Sequence, residues 1–167
     1  PYPVQKDTTK YRLLTKDHIT VTEANGRRIV RVASEALELL ARTAFTDVSF
    51  FLRASHLNQL TQILNDPEAS GNERFVAHTM LMNQVVAADG ELPTCQDTGT
   101  AILIGWKGED IYTGVNDAEF LTKGIFDTWQ QNNLRYSIIA PLSMTEEKNT
   151  GTNLPAQIDI FAVPGNS

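Results

Sequence analysis

Hydrophobic and polar positions change period along this chain. Near the N-terminus they come in short runs, Tyr11–Thr15, Ile19–Thr22 and Arg28–Val32, which predict three strands. Asn25-Gly26 separates the last two. Both residues tolerate positive φ, so a tight hairpin is predicted there. From residue 34 the spacing becomes helical. Leu37, Leu40, Ala41, Ala44, Phe45 and Val48 follow an i, i+3, i+4, i+7 rule and predict an amphipathic helix over about 35–50. Ser34 is its expected N-cap, with Glu35 and Glu38 where the helix dipole favours anions. A second helix is predicted from Ser55, with Leu57, Leu60, Ile63 and Leu64 on one face and Asn65-Asp66-Pro67 ending it. A third is predicted over about 72–87, with Phe75, Val76, Thr79, Met82 and Val86 inward and Asp89-Gly90 as the stop.

Beyond residue 90 the pattern breaks up. Residues 91–99 form a small, polar, turn-prone run. Thr100–Trp106 reads as an apolar strand and Ile111–Thr113 as its hairpin partner. Asp117 is the expected cap of a fourth helix over 118–131, with Phe120, Leu121, Ile125 and Trp129 on a shared face. Residues 145–155 read as polar loop, and Gln157–Val163 as a last strand. No repeat, linker or low-complexity tract divides the chain. The expected class is α+β (mixed α/β) in a single domain over 1–167: an N-terminal β-hairpin, about three helices, then strands with a further helix.

Composition narrows the function classes. The net charge of −6 argues against a broad nucleic-acid surface or a basic membrane-binding face. No apolar run approaches the ~18 residues of a membrane span. Pro1-Tyr2-Pro3 lacks a basic stretch leading into an apolar one, so no signal peptide is expected. Pro1 in place of Met and the turn-like end at residues 164–167 suggest a piece of a longer chain. With one cysteine there is no internal disulfide and no all-cysteine metal site within the chain.

That cysteine is the main candidate for chemistry. A lone Cys is ordinarily a small buried hydrophobe. Cys95, however, stands among Pro93, Thr94, Gln96, Asp97, Thr98 and Gly99, all poor core material, in a loop before an apolar strand. A thiolate there could be a nucleophile or a soft-metal ligand. Asp97 close by in sequence would not favour the thiolate, which tells against the nucleophile. A metal deprotonates the thiol itself, so ligation is the better reading, with further ligands from elsewhere. His18, His56 and His78 show no ligand spacing and read as surface or capping residues. Arg135 presents a fork suited to a carboxylate, and Asn149–Asn153 is a run of small donors that could cradle an anion. The glycines form neither a dinucleotide nor a P-loop fingerprint.

Leu92-Pro93-Thr94-Cys95-Gln96-Asp97-Thr98-Gly99-Thr100-Ala101 resembles the signature segment of class I fumarases, the iron–sulfur fumarate hydratases. Asn133-Leu134-Arg135-Tyr136-Ser137 and Asn149 through Asp159 resemble two further segments of that family, and Asp66-Pro67-Glu68-Ala69-Ser70 a fourth. The resemblance runs from Pro3 to Val163 in order. Its cysteine segment is shared with a wider group that includes the α-subunit of L-tartrate dehydratase.

The resemblance implies a hydro-lyase that reversibly hydrates fumarate to L-malate on a [4Fe–4S] cluster. Three cysteine thiolates hold the cluster and one iron stays open as a Lewis acid. Cys95 matches the first ligand. Gln96 and Asp97 match residues lining the substrate pocket, and Arg135 matches an arginine that clamps a substrate carboxylate. The family's chain is considerably longer, so 1–167 corresponds to an N-terminal portion of its cluster-binding domain. The other two ligands and the proton-transfer residues are expected outside this chain. The isolated chain is expected to be inactive and to lack the cluster, and the whole enzyme to be a cytoplasmic homodimer acting on a small dicarboxylate, with no nucleic-acid or membrane partner. Competing readings are the equivalent piece of a tartrate-type hydro-lyase, a non-catalytic binding or assembly module of the same fold, and a cysteine-nucleophile hydrolase.

Overall fold

A computed structural model describes residues 10–166. Its elements are β1 (Ile19–Ala24), β2 (Arg27–Val32), α1 (Ser34–Phe50), α2 (Ala54–Asn65), α3 (Gly71–Ala87), β3 (Ile102–Gly108), β4 (Ile111–Tyr112), α4 (Asp117–Gln131), β5 (Ile139–Pro141), β6 (Glu147–Asn149) and β7 (Gln157–Val163). The fold is mixed α+β, as expected. It divides into two compact units. One holds Asp47–Gln96 with the described residues up to Arg12; the other holds Leu13–Thr46 and the chain from Asp97 on.

The first unit is helical. It contains the last turn of α1, then α2 and α3, with Phe50, Leu60, Ala77 and Ala87 buried. The connection between α2 and α3 is built from Asp66-Pro67-Glu68-Ala69-Ser70. Asp66 Oδ1 accepts from Glu68 N at 2.9 Å, and Arg74 Nη2 donates to the Asp66 carbonyl at 2.7 Å. Ser70 and Glu73 then form a reciprocal capping box. Glu73 N donates to Ser70 Oγ at 3.2 Å and Ser70 N to the Glu73 carboxylate at 2.7 Å. Ser70's hydroxyl and backbone N–H hold the Glu73 carboxyl below its ordinary pKa.

Helix α3 corrects an expectation. Phe75, Val76, Thr79, Met82 and Val86, predicted inward, are exposed among the described residues, and the buried positions are Ala77, Gln84 and Ala87. Gln84 explains the rotation: its Nε2 donates to the Phe50 carbonyl at 2.7 Å, so the helix turns a polar anchor inward.

The second unit carries the sheets. β1 and β2 form the predicted hairpin, with Asn25 at φ 52° and Gly26 at φ 72°. Tyr11–Thr15 is not a strand: among the described residues no strand forms a ladder with it, and Tyr11 lies open to solvent. β4 corrects the hairpin proposed after β3. It runs parallel to β2, pairing Val30 with Ile111 and Arg31 with Tyr112. β3 instead pairs in parallel with β7 along its whole length, from Ile102↔Gln157 to Gly108↔Val163. Glu109 N donates to the Val163 carbonyl and Asp110 N to that of Gly165, both toward the end of β7, so the turn after β3 cannot fold back as a hairpin. Within the predicted 145–155 loop, β6 pairs antiparallel with β5.

α4 lies against the first part of α1. A methyl group on Gly124 would stand 2.8 Å from Ala41 Cβ and 3.0 Å from Arg42 N, so only glycine allows this approach. Thr128 Oγ1 donates to the Arg42 carbonyl at 3.2 Å, Lys123 pairs with Glu38 at 2.7 Å, and Phe45 meets Trp129 with ring centroids 6.1 Å apart. Leu121, Ile125 and Trp129 are buried as predicted, whereas Leu40, Ala44 and Val48 of α1 are exposed. Neither predicted cap holds. Ser34 stands inside α1 and donates to Glu35. Asp117 lies in the first turn of α4, where its carboxylate takes Lys107 and Thr113 instead.

Candidate functional site

The boundary between the two units falls inside the cysteine segment, after Gln96. On the first side, the run up to Cys95 is fixed through Thr94. Thr94 N donates to the Ser49 carbonyl at 2.8 Å, and Asn83 Nδ2 donates to the Thr94 carbonyl at 2.7 Å. Thr94 Oγ1 reaches Gln84 Oε1 at 3.4 Å. The buried face of α3 therefore anchors the residue before the cysteine. Cys95 and Gln96 themselves are exposed.

On the other side, parallel pairing of β3 with β7 brings the loops that precede them together. Asn153 joins them. It is fully buried, and φ is 54°, a left-handed conformation that Asn tolerates better than most residues. Its Nδ2 donates to the Gly99 carbonyl at 2.9 Å, and its Oδ1 accepts from Ser137 N at 2.6 Å and Ile138 N at 3.1 Å. Asn149 Nδ2 adds a bond to the Tyr136 carbonyl at 2.8 Å. Thr98 Oγ1 donates to the carbonyl of Arg135, which also accepts from Trp129 Nε1 at 3.2 Å.

Three segments far apart in sequence thus share one hydrogen-bonded knot: 97–99, 135–138 and 149–153. The fold uses Arg135 through its main chain. Its side chain is exposed and has no ion-pair partner among the described residues, and Asp97 is also exposed. A guanidinium in that state can donate two parallel hydrogen bonds to a planar carboxylate.

The donor set for a metal group is limited. The sequence has one cysteine, and no cluster of three His, Cys, Asp or Glu side chains occurs among the described residues. The exposed Cys95 thiol fits one corner of a thiolate-held cluster; these residues offer no second corner. His18, His56 and His78 belong to no such group of three among the described residues. In the sequence Asn153 reads only as the end of a run that could cradle an anion; here its carboxamide serves backbone groups. Its loop was legible as small and polar, but a buried Asn serving three backbone groups leaves no periodic signal.

The fumarate hydratase (Fumerase) family model matches residues 38–167, so the chain belongs to that family. It is 55% identical over 166 residues to "Fumarate hydratase class I, aerobic" of Escherichia coli (strain K12), covering 99% of this chain and 30% of that protein. It is 54% identical over 166 residues to the anaerobic class I enzyme of the same strain, with the same coverage. To "Fumarate hydratase 1, mitochondrial" of Leishmania major it is 51% identical over 164 residues, covering 97% of this chain and 30% of that protein. The chain therefore spans about 30% of the length of the curated relatives it matches.

Proposed function

We propose that this chain is an N-terminal portion of the cluster-binding domain of a longer hydro-lyase that interconverts fumarate and L-malate. The observation that carries the reading is Arg135, in a chain of this family: its backbone is tied down by Thr98 and Trp129 while its guanidinium stays exposed and unpaired among the described residues. A dicarboxylate substrate needs a fixed cation, and the fork of Arg135 binds one carboxylate in a set orientation. Hydration of the double bond builds extra negative charge on a substrate carboxylate, and a preoriented guanidinium stabilises that charge where it develops. Gln96 is a further pocket-lining residue in this reading, with Nε2 as its donor. Asp97, which makes no ion pair with Arg135 among the described residues, serves in this reading as an acceptor that orients a water.

Cys95, as thiolate, would hold one iron of a [4Fe–4S] cluster. When bound, that group supplies a Lewis-acidic open iron to the substrate. The remaining thiolates and the acid and base lie in the rest of the polypeptide. A single thiolate cannot retain such a cluster against solvent, so residues 1–167 alone have no hydratase activity. The whole enzyme is a cytoplasmic homodimer.

The test compares the full-length polypeptide with residues 1–167, both purified without oxygen, in a fumarate-to-malate assay. The full-length protein should turn over, and 1–167 should give no product above background. Conversion by 1–167 alone contradicts the split-site reading. An Asp97→Asn variant of the full-length protein with unchanged kcat and KM would remove Asp97 from the site.

A further inference from the structure

β3 and β7 form a parallel pair, and among the described residues no other strand joins either of them. Parallel sheets are normally covered on both faces, because the connections between their strands lay other elements across them. A two-stranded sheet is also marginal by itself.

Here one face is the more open of the two, although Ile160 and Ala162 of the other are also exposed. The register places Ile102, Ile104 and Trp106 of β3 on the same face as Gln157, Asp159 and Phe161 of β7. Ile102, Ile104, Trp106 and Phe161 are 54%, 56%, 66% and 53% exposed. The intervening Leu103, Gly105 and Lys107 are half-buried. Trp106 and Phe161 stand with ring centroids 6.4 Å apart, and Gln157 Nε2 donates to Asp159 at 2.8 Å beside them. Large apolar residues at i, i+2 and i+4 are the pattern of a strand face that packs against something.

We propose that this face is covered by the rest of the same polypeptide, the part its relatives carry beyond the 30% matched here. The inference rests on the reading of this chain as a segment of a longer fumarate hydratase. That length is ample for a covering layer, and a sheet of this kind is ordinarily packed between other elements. The cover presents aliphatic or aromatic side chains to Ile102, Ile104, Trp106 and Phe161.

Hydroxyl-radical footprinting of the full-length polypeptide, read residue by residue by mass spectrometry, tests this. At equal radical dose, Trp106 and Phe161 should oxidise at least tenfold more slowly in the native protein than in urea. Smaller protection overturns the proposal. Protection should persist over a hundredfold dilution; loss on dilution also overturns it, assigning the face to a second copy. A fumarate assay on the same sample separates the two claims. Fast oxidation of Trp106 in an active enzyme sinks only this inference. Protection in a protein that does not hydrate fumarate sinks the functional reading and leaves the covered face standing.

Discussion

Asn153 donates to the carbonyl of Gly99, 54 residues earlier in the chain, at 2.9 Å. The same side chain accepts from Ser137 N and Ile138 N, so one carboxamide fixes the tail of the cysteine segment relative to the backbone that carries Arg135. Replacing it strands two N–H donors and a carbonyl. Asn153→Ala should destabilise by roughly 1–3 kcal/mol, read as a lower urea midpoint with an unchanged slope. A midpoint equal to the parent's would show that water serves these groups equally well.

Arg135 serves the fold through its main chain alone among the described residues. Its carbonyl is used by the fold and its guanidinium is not. Arg135→Lys in the full-length enzyme should raise KM for fumarate tenfold or more and leave the unfolding midpoint unchanged. Unchanged kinetics would take the carboxylate clamp away from this residue.

Gly124 and Gly105 give a matched contrast. Gly124→Ala drives a methyl group into the backbone of α1 and should cost roughly 1–3 kcal/mol, despite alanine's better helix propensity. At Gly105 a methyl group meets only Leu103 Cδ2, at 3.7 Å, so Gly105→Ala should lie within about 0.5 kcal/mol of the parent. Thermal unfolding of both variants checks the pair.

The hairpin and all four helices were legible because their signals are local: Asn25-Gly26 for the turn, and 3.6-residue periodicity for the helices. The parallel pairings of β2 with β4 and β3 with β7 were not, since they join segments with no shared local signal. On α3 the face expected to point inward, Phe75, Val76, Thr79, Met82 and Val86, is exposed instead. Its direction was missed because Gln84, which bonds the Phe50 carbonyl, looks like any surface Gln in sequence. At the site, Cys95, Gln96, Asp97 and Arg135 stood out by residue type and by resemblance. Asn153 did not, because its importance lies in partners that only the β3–β7 pairing brings near.

The capping box of α3 carries a pH dependence. The Glu73 carboxyl is held below its ordinary value of 4.5, chiefly by the Ser70 hydroxyl and then by the Ser70 N–H. A lowered folded-state pKa means that the stabilisation is present above about 4.5 and is lost as pH falls through the folded value. Amide protection at the start of α3, taken relative to the intrinsic exchange rate at each pH, should therefore fall below that pH in the parent. In Glu73→Gln the change should be weaker, and an identical profile in both would rule out the Glu73 carboxylate as its source.

The central claim is that Cys95 is one ligand of a cluster completed elsewhere in the polypeptide. The direct measurement is the iron and sulfide content of the full-length protein, purified without oxygen, with Cys95→Ala beside it. Four irons per chain in the parent, with iron and fumarate hydration both lost in the variant, is the predicted result. An active protein without iron, or a variant that keeps its cluster, would contradict it and leave Cys95 as a plain exposed thiol in the loop before β3.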